Sequence, residues 1–237
     1  MPALHRVILT TLKAYFGLIA ILLALLPIVS WIASIYHSDI NGLLSPAGIR
    51  WMFSSVVDNF ADVPLAHILT GLVTLSILHT SGVLSAFTRR PSLKQRRAAL
   101  ITLTAAVVLL ILFSLLLILP HAVLLSAFGT ISHSALAHGW YGLLVLYLIV
   151  ISNIYAYTSG RLYTLADFLQ AHTSLIRSIS PYFILLFLSS QLVACLDYTA
   201  LLTFLGMPSH VQALLTYILY YLPLVLYLSV SHKQHNQ

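Results

Sequence analysis

Six runs of about 20 predominantly apolar residues follow one another along the chain, each long enough as a helix to cross a hydrocarbon core of about 30 Å. They cover about Leu12–Tyr36, Pro64–Phe87, Ala98–Leu119, His138–Tyr157, Pro181–Leu205 and Val211–Ser231. Backbone groups in lipid must find partners inside their own segment, so each run is predicted as a transmembrane helix. Arg6 and Lys13 stand at the start of the first run, as they do in a signal peptide. Its apolar stretch is longer than a signal core and no small-residue cleavage site follows, so an uncleaved anchor is expected.

The connections carry two further patterns. Ser45-Pro46 reads as a helix N-cap followed by proline at the first helical position. Beyond it Ile49, Met52, Phe53, Val56, Val57 and Phe60 recur at helical spacing, with Arg50, Ser54, Asp58 and Asn59 largely opposite. This segment, residues 46–60, is too short and too polar to span and is predicted as an amphipathic helix at the outer interface, with Trp51 at headgroup level. A second interfacial helix is predicted at 162–177, where Leu162, Leu165, Leu169, His172 and Ile176 share a stripe between Arg161 and Arg177. Between the third and fourth runs, residues 120–137 are apolar but broken by Pro120, Gly129 and several Ser and His, which suits a short re-entrant or surface segment.

Charge orients the bundle. Arg6, Lys13, Arg89, Arg90, Lys94, Arg96, Arg97, Arg161, Arg177 and Lys233 fall on one side, and only Arg50 falls on the other, beside Asp39, Asp58 and Asp62. Positive residues near span ends stay in the cytoplasm, so both termini of this multi-pass protein are expected there. The same asymmetry accounts for the net charge of +6 without a nucleic-acid partner. Composition agrees: 60% of residues are hydrophobic and 7% charged, where a soluble domain carries roughly a quarter charged. The single cysteine, Cys195, lies within a span and is expected to pack.

Leu44-Ser45-Pro46, Gly48-Ile49-Arg50-Trp51, Asn59-Phe60, Pro64-Leu65 and the turn Ser81-Gly82-Val83-Leu84-Ser85-Ala86, followed in order by Ala166-Asp167 and Gln191-Leu192-Val193-Ala194, form a pattern. It resembles the first half of the AbgT family, the p-aminobenzoyl-glutamate transporters. The resemblance implies a dimeric inner-membrane carrier with inverted repeats, re-entrant hairpins and broken helices whose half-helix ends bind ions and anionic substrates. Several positions depart from it. Thr74-Leu75-Ser76-Ile77-Leu78-His79 stands where the family has a Gly-rich stretch ending in an acid, and Leu109–Leu119 holds no Ser-Asp-Ala-Gly. The family's later Gly-Ser-Ala-Asn is absent. Asp197-Tyr198-Thr199-Ala200 replaces Asn-Trp-Ser-Asn, and Leu188 replaces a helix-breaking proline.

The polar residues inside the runs are the candidate site. Asp197 would lie roughly 24 Å along the fifth helix and Gln191 about 15 Å. A carboxylate in a span must face protein, water or a partner, which makes Asp197, with Tyr198 and Gln191, the candidate substrate or ion pathway. The bland alternatives are a snorkelled acid at a helix end and a glutamine acting as interhelical glue. His67 and His79, twelve residues apart, cannot share one metal. His121, His133 and His138 gather on the outer side, as ordinary interfacial histidines or as a convergent cluster. Ser152 and Asn153 are read as packing contacts, and the tyrosines, Tyr155, Tyr157, Tyr163, Tyr217, Tyr220 and Tyr221 among them, as interfacial and lipid-facing. The five acidic residues are all Asp, and no phosphate loop, zinc motif or acyl-transfer nucleophile is present, so no enzyme, metal or cofactor is expected.

Two expectations follow for an all-α integral membrane protein forming one transmembrane domain over residues 1–237. One is an AbgT-like carrier of a small organic anion, completed as a homodimer or higher oligomer. The other is a transport-inactive subunit that docks a membrane-protein partner.

Overall fold

The computed structural model describes residues 2–88, 92–118 and 134–234. These form α1 (Pro2–Tyr36), α2 (Pro46–Ser54), α3 (Val56–Ala61), α4 (Leu65–Ser81), α5 (Val83–Thr88), α6 (Leu93–Ile118), α7 (Ala135–Ser159), α8 (Leu165–Ser178), α9 (Pro181–Thr199), α10 (Leu201–Phe204) and α11 (Ser209–Gln234), with no strand among the described residues. Five of them, α1, α6, α7, α9 and α11, are long and apolar enough to cross a membrane, and α4 is a shorter apolar helix. Large apolar side chains stand exposed along these helices, Leu103, Val107, Leu110 and Ile111 on α6 among them. Such surface is stable only against lipid or another chain.

Contacts divide the chain into two compact units, one holding the residues up to Leu65 and from Ser178 onward, the other Ala66–Arg177. In the first, α1 and α9 run parallel: Ile8 and Leu12 pack on Leu185, and further along both helices Ile19 and Leu26 join Leu192 and Cys195. The third helix, α11, runs against them, with Leu226 and Tyr227 beside the Ile8–Leu12 end and Leu219 beside the Ile19 end. Ser30, fully buried, donates to the Pro27 carbonyl at 3.1 Å and accepts the Leu43 amide at 3.1 Å, which fastens the turn after α1. Asn41 caps the other end of α9, its side-chain amide reaching the Tyr198 carbonyl at 2.9 Å and its backbone N–H the Thr199 carbonyl at 3.3 Å.

In the second unit α6 and α7 form an antiparallel pair, with Ala98 near the start of one against Tyr155 near the end of the other. Ser134 caps α7, accepting the Ala137 amide at 3.1 Å. The fourth helix runs parallel to α7, His67 lying against Tyr141 and Ile77 against Ala156.

The differences from the sequence reading lie in the breaks. The run Pro64–Phe87 is not one helix: it stops at Gly82, whose φ of 69° is left-handed, and resumes as α5. The run Pro181–Leu205 stops at Ala200, also left-handed at φ 55°, before the single turn of α10. Residues 46–60 form two helices broken at Ser55, and they pack along α9. Residues 120–133 of the predicted re-entrant segment lie outside the described residues. The second predicted interfacial helix begins at Leu165 and buries Ala171 and Leu175, while Leu165 and Leu169 of its apolar stripe are exposed.

Candidate functional site

Gln191 sits about 15 Å along α9 from Pro181, in the polar run Ser189-Ser190-Gln191. Its side-chain oxygen accepts the Asn59 amide at 3.1 Å, and its own amide donates to the Val56 carbonyl at 3.0 Å and to Ser190 Oγ at 3.4 Å. Seven residues on, two turns along the same face, the Tyr198 ring stacks on Trp51 with centroids 4.2 Å apart and planes 18° from parallel. Phe60 meets Phe187 edge-on at 5.6 Å. Together these contacts lay α2 and α3 antiparallel along α9, with Asn59 turned onto the helix rather than away from it. Asp197, six residues beyond Gln191, is off that face and exposed. Of the three predicted pathway residues, Gln191 and Tyr198 therefore face one partner segment and Asp197 does not join them.

A second polar contact on α9 was not foreseen. Pro223 lies inside α11, where proline lacks the N–H that would bond the Leu219 carbonyl four residues earlier. Tyr15 of α1 donates to that carbonyl at 2.7 Å, with Ser189 Oγ 3.5 Å from the same hydroxyl. Neighbouring helices commonly satisfy backbone groups freed by proline in this way. Tyr182 donates to the next carbonyl, Tyr220, at 3.0 Å. The one signal for this in the sequence was a tyrosine near the start of two different runs and a proline inside a third. Tyr155 and Tyr220, read as interfacial or lipid-facing, are buried at 1% and 8% exposure.

No family model, no curated protein and no solved structure matches the chain. The site is therefore judged on its own chemistry. An apolar groove of about 350 Å³ is lined by Leu12, Lys13, Phe16, Pro181, Ile184, Leu185 and Tyr227. It lies at the Pro181 end of α9 and includes none of Gln191, Asp197 and Tyr198.

In the other unit, Ser76 of α4 donates to the Ala171 carbonyl at 2.6 Å and accepts the Leu175 amide at 3.3 Å, and Ser174 Oγ is 2.8 Å away. Ala171 and Leu175 are the acceptor and donor of one helical turn, so this hydroxyl inserts into the backbone ladder of α8. Asn153 of α7 donates to the Ile149 carbonyl at 3.0 Å, and the same amide nitrogen lies 3.3 Å from His172 Nε2. His172 Nδ1 faces the Phe168 carbonyl at 2.8 Å, which assigns the proton to Nδ1 and leaves Nε2 as acceptor. Asn153 thus fastens α8 to α7, a packing role that its position in the fourth run had suggested. Its Oδ1 is buried with no partner among the described residues. Asp167 holds the start of α8 in a reciprocal cap with Thr164: its carboxylate accepts the Thr164 and Tyr163 amides at 2.9 and 3.2 Å, and Thr164 Oγ1 accepts the Asp167 amide at 3.1 Å. These donors, the Thr164 amide foremost, hold its pKa below the ordinary carboxylate value. His138 Nδ1 is 3.0 Å from the Ser134 carbonyl, and His121 and His133 lie outside the described residues. Among the described residues no three His, Cys, Asp or Glu stand close enough to hold a metal ion.

Proposed function

We propose that this protein is an integral membrane subunit that works by assembling with other chains and is not a carrier complete in one copy. The observation that carries this reading is the saturation of Gln191: its amide hydrogens and its oxygen are engaged by Val56, Ser190 and Asn59 of the same chain. A residue engaged this way positions α3; it has little left to offer a substrate. Tyr198 is likewise taken up by Trp51. The second reading, an AbgT-like carrier of a small organic anion completed by a second copy, is favoured by Asp197, whose exposure leaves it available to another chain.

The same reading assigns six crossings, with both termini in the cytoplasm. The parallel course of α1 and α9 requires an odd number of crossings between them. Two come from α6 and α7, and α4, parallel to α7, is the third. Lys and Arg then collect on the cytoplasmic side.

The experiment is purification from native membranes in mild detergent, with the mass and co-purifying chains determined, followed by reconstitution for uptake of aromatic-glutamate conjugates. The subunit reading expects stable partner chains and no flux from the isolated protein. A homo-oligomer that transports, and loses uptake on Asp197→Asn, would replace it with the carrier reading.

A further inference from the structure

We infer that the end of the Ala66–Arg177 unit where α6 and α8 begin is a binding site for the headgroup of an anionic phospholipid, held by Lys94, Arg161 and Tyr163. The inference concerns a lipid bound at a defined place and does not depend on whether the protein transports. Arg161 follows the C-cap of α7 and sends Nη1 to the Thr80 carbonyl at 3.1 Å. Its guanidinium lies directly on Gly82, where a Cβ would collide with it. Lys94 Nζ lies over Gly160 in the same manner and is 3.5 Å from Tyr163 Oη. Both glycines are left-handed, at φ 69° and 76°, so two tight turns without side chains seat the two cations.

Neither cation is neutralised. Both are exposed, and the one acidic residue of this unit, Asp167, spends its carboxylate on the Tyr163 and Thr164 amides. Lys94 also stands in the first turn of α6, where the helix field disfavours a cation and no acidic residue offsets it. One of the five guanidinium N–H donors and one of the three ammonium donors are used, so the rest remain for an acceptor. Phosphate suits them, because arginine binds its oxygens in pairs and lysine as a point charge. Leu93 and Leu165, exposed at 78% and 73%, flank the cations with apolar surface, which selects a phosphate carrying acyl chains over a free one.

The test uses the full chain in detergent. Delipidated protein is titrated with phosphatidylglycerol, with phosphatidylcholine and with inorganic phosphate, and bound lipid is counted by native mass spectrometry beside the melting temperature. Phosphatidylglycerol is expected to bind in preference to phosphatidylcholine and to raise the melting temperature, with millimolar phosphate failing to displace it. Lys94→Gln with Arg161→Gln should weaken binding roughly tenfold or more, since each surface cation contributes about 1 kcal/mol toward an anionic leaflet. Arg161→Lys should retain part of it, and Arg177→Gln, outside the cluster, should leave it unchanged. Equal binding of the two lipids by the wild type overturns the site even where the double variant fails to fold. So does an equal loss in Arg177→Gln, which would mean diffuse charge, and so does displacement by phosphate, which would mean a free-anion site.

Discussion

At the scale of single residues, the bundle around α9 is held by polar groups that answer one another's deficits. Tyr15 supplies the hydrogen that Pro223 cannot, so the two residues are one device on two helices. Tyr15→Phe leaves the Leu219 carbonyl without this donor in a part-buried place. Membrane hydrogen bonds average about 0.6 kcal/mol and orphaned buried acceptors cost roughly 1–3 kcal/mol, so a loss of about 1 kcal/mol is expected. Adding Pro223→Ala restores an amide hydrogen to the same carbonyl, and most of the lost melting temperature should return. If the two substitutions merely add, the pairing is wrong. Gln191→Leu should similarly cost on the order of 1–2 kcal/mol, because it strands the Asn59 amide as well as removing its own bonds. Asn59→Leu made afterwards should then cost much less than it does alone, and a full additional loss in the double variant would count against the clasp. None of these pairs was legible in the sequence. Gln191 stood out as a polar residue in a run, but Asn59 was placed on the solvent side by its neighbours' periodicity. A helical wheel drawn through 46–60 assumes an unbroken helix, and the break at Ser55 rotates Asn59 onto α9.

At the scale of elements, what composition determines was read closely and what a single turn determines was not. The long runs became the helices α1, α6, α7 and α11, because lipid leaves a 20-residue apolar segment one backbone solution, though α1 starts ten residues and α6 five residues before the runs they contain. The breaks at Gly82 and Ala200 fall inside apolar runs, where hydropathy carries no information and only a left-handed residue ends the helix. Gly82 gave a signal that was outweighed by the apolar residues after it; Ala200 gave none. The eighth helix packs on α4 through small residues and not through the leucines of its apolar stripe. Its leucines at 165 and 169 face outward, and the smaller Ala171 and Ser174 let Ser76 approach its backbone. Small residues permit such close helix contacts in membranes, so burial here follows size more than hydrophobicity. The cap of α8 has a defined pH signature. Asp167 has a lowered folded-state pKa, so its contribution is present above the unfolded value of about 3.9 and is lost only as pH falls through the lower folded value. Hydrogen exchange of the Tyr163 and Thr164 amides, corrected for intrinsic rate, should stay protected at pH 5 and above and rise only in stronger acid. Asp167→Ala should remove the protection at every pH. Protection lost between pH 5 and 7 would mean that another group holds this turn.

At the scale of the whole chain, the proposed six-crossing topology makes predictions of its own. The seventeen residues of α4 span about 25 Å, short of a full hydrocarbon core, and α4 meets α7 at Tyr141, about 9 Å beyond that helix's first residue. Within the other unit, α2 and α3 descend along α9 from Tyr198 to Phe187, a distance of about 16 Å. Alone, α4 falls short of a full crossing, so the proposed six-crossing topology predicts that α3 also lies at membrane depth. Cysteine substitutions in a Cys195→Ala background test this in intact cells. Thiols placed at Asp39 and between α9 and α11 should react with an impermeant reagent from outside. Those at Ser92 and near the C-terminus should react only after the membrane is opened. A thiol at Phe60 should resist the impermeant reagent while one at Ser45 reacts, since that topology expects the first at depth and the second at the surface. If Phe60 and Ser45 label alike, α3 lies on the membrane and the crossing between α1 and α6 belongs to α4 alone. If Ser92 labels from outside, α4 does not cross, and the parallel course of α1 and α9 must be produced by another part of the chain.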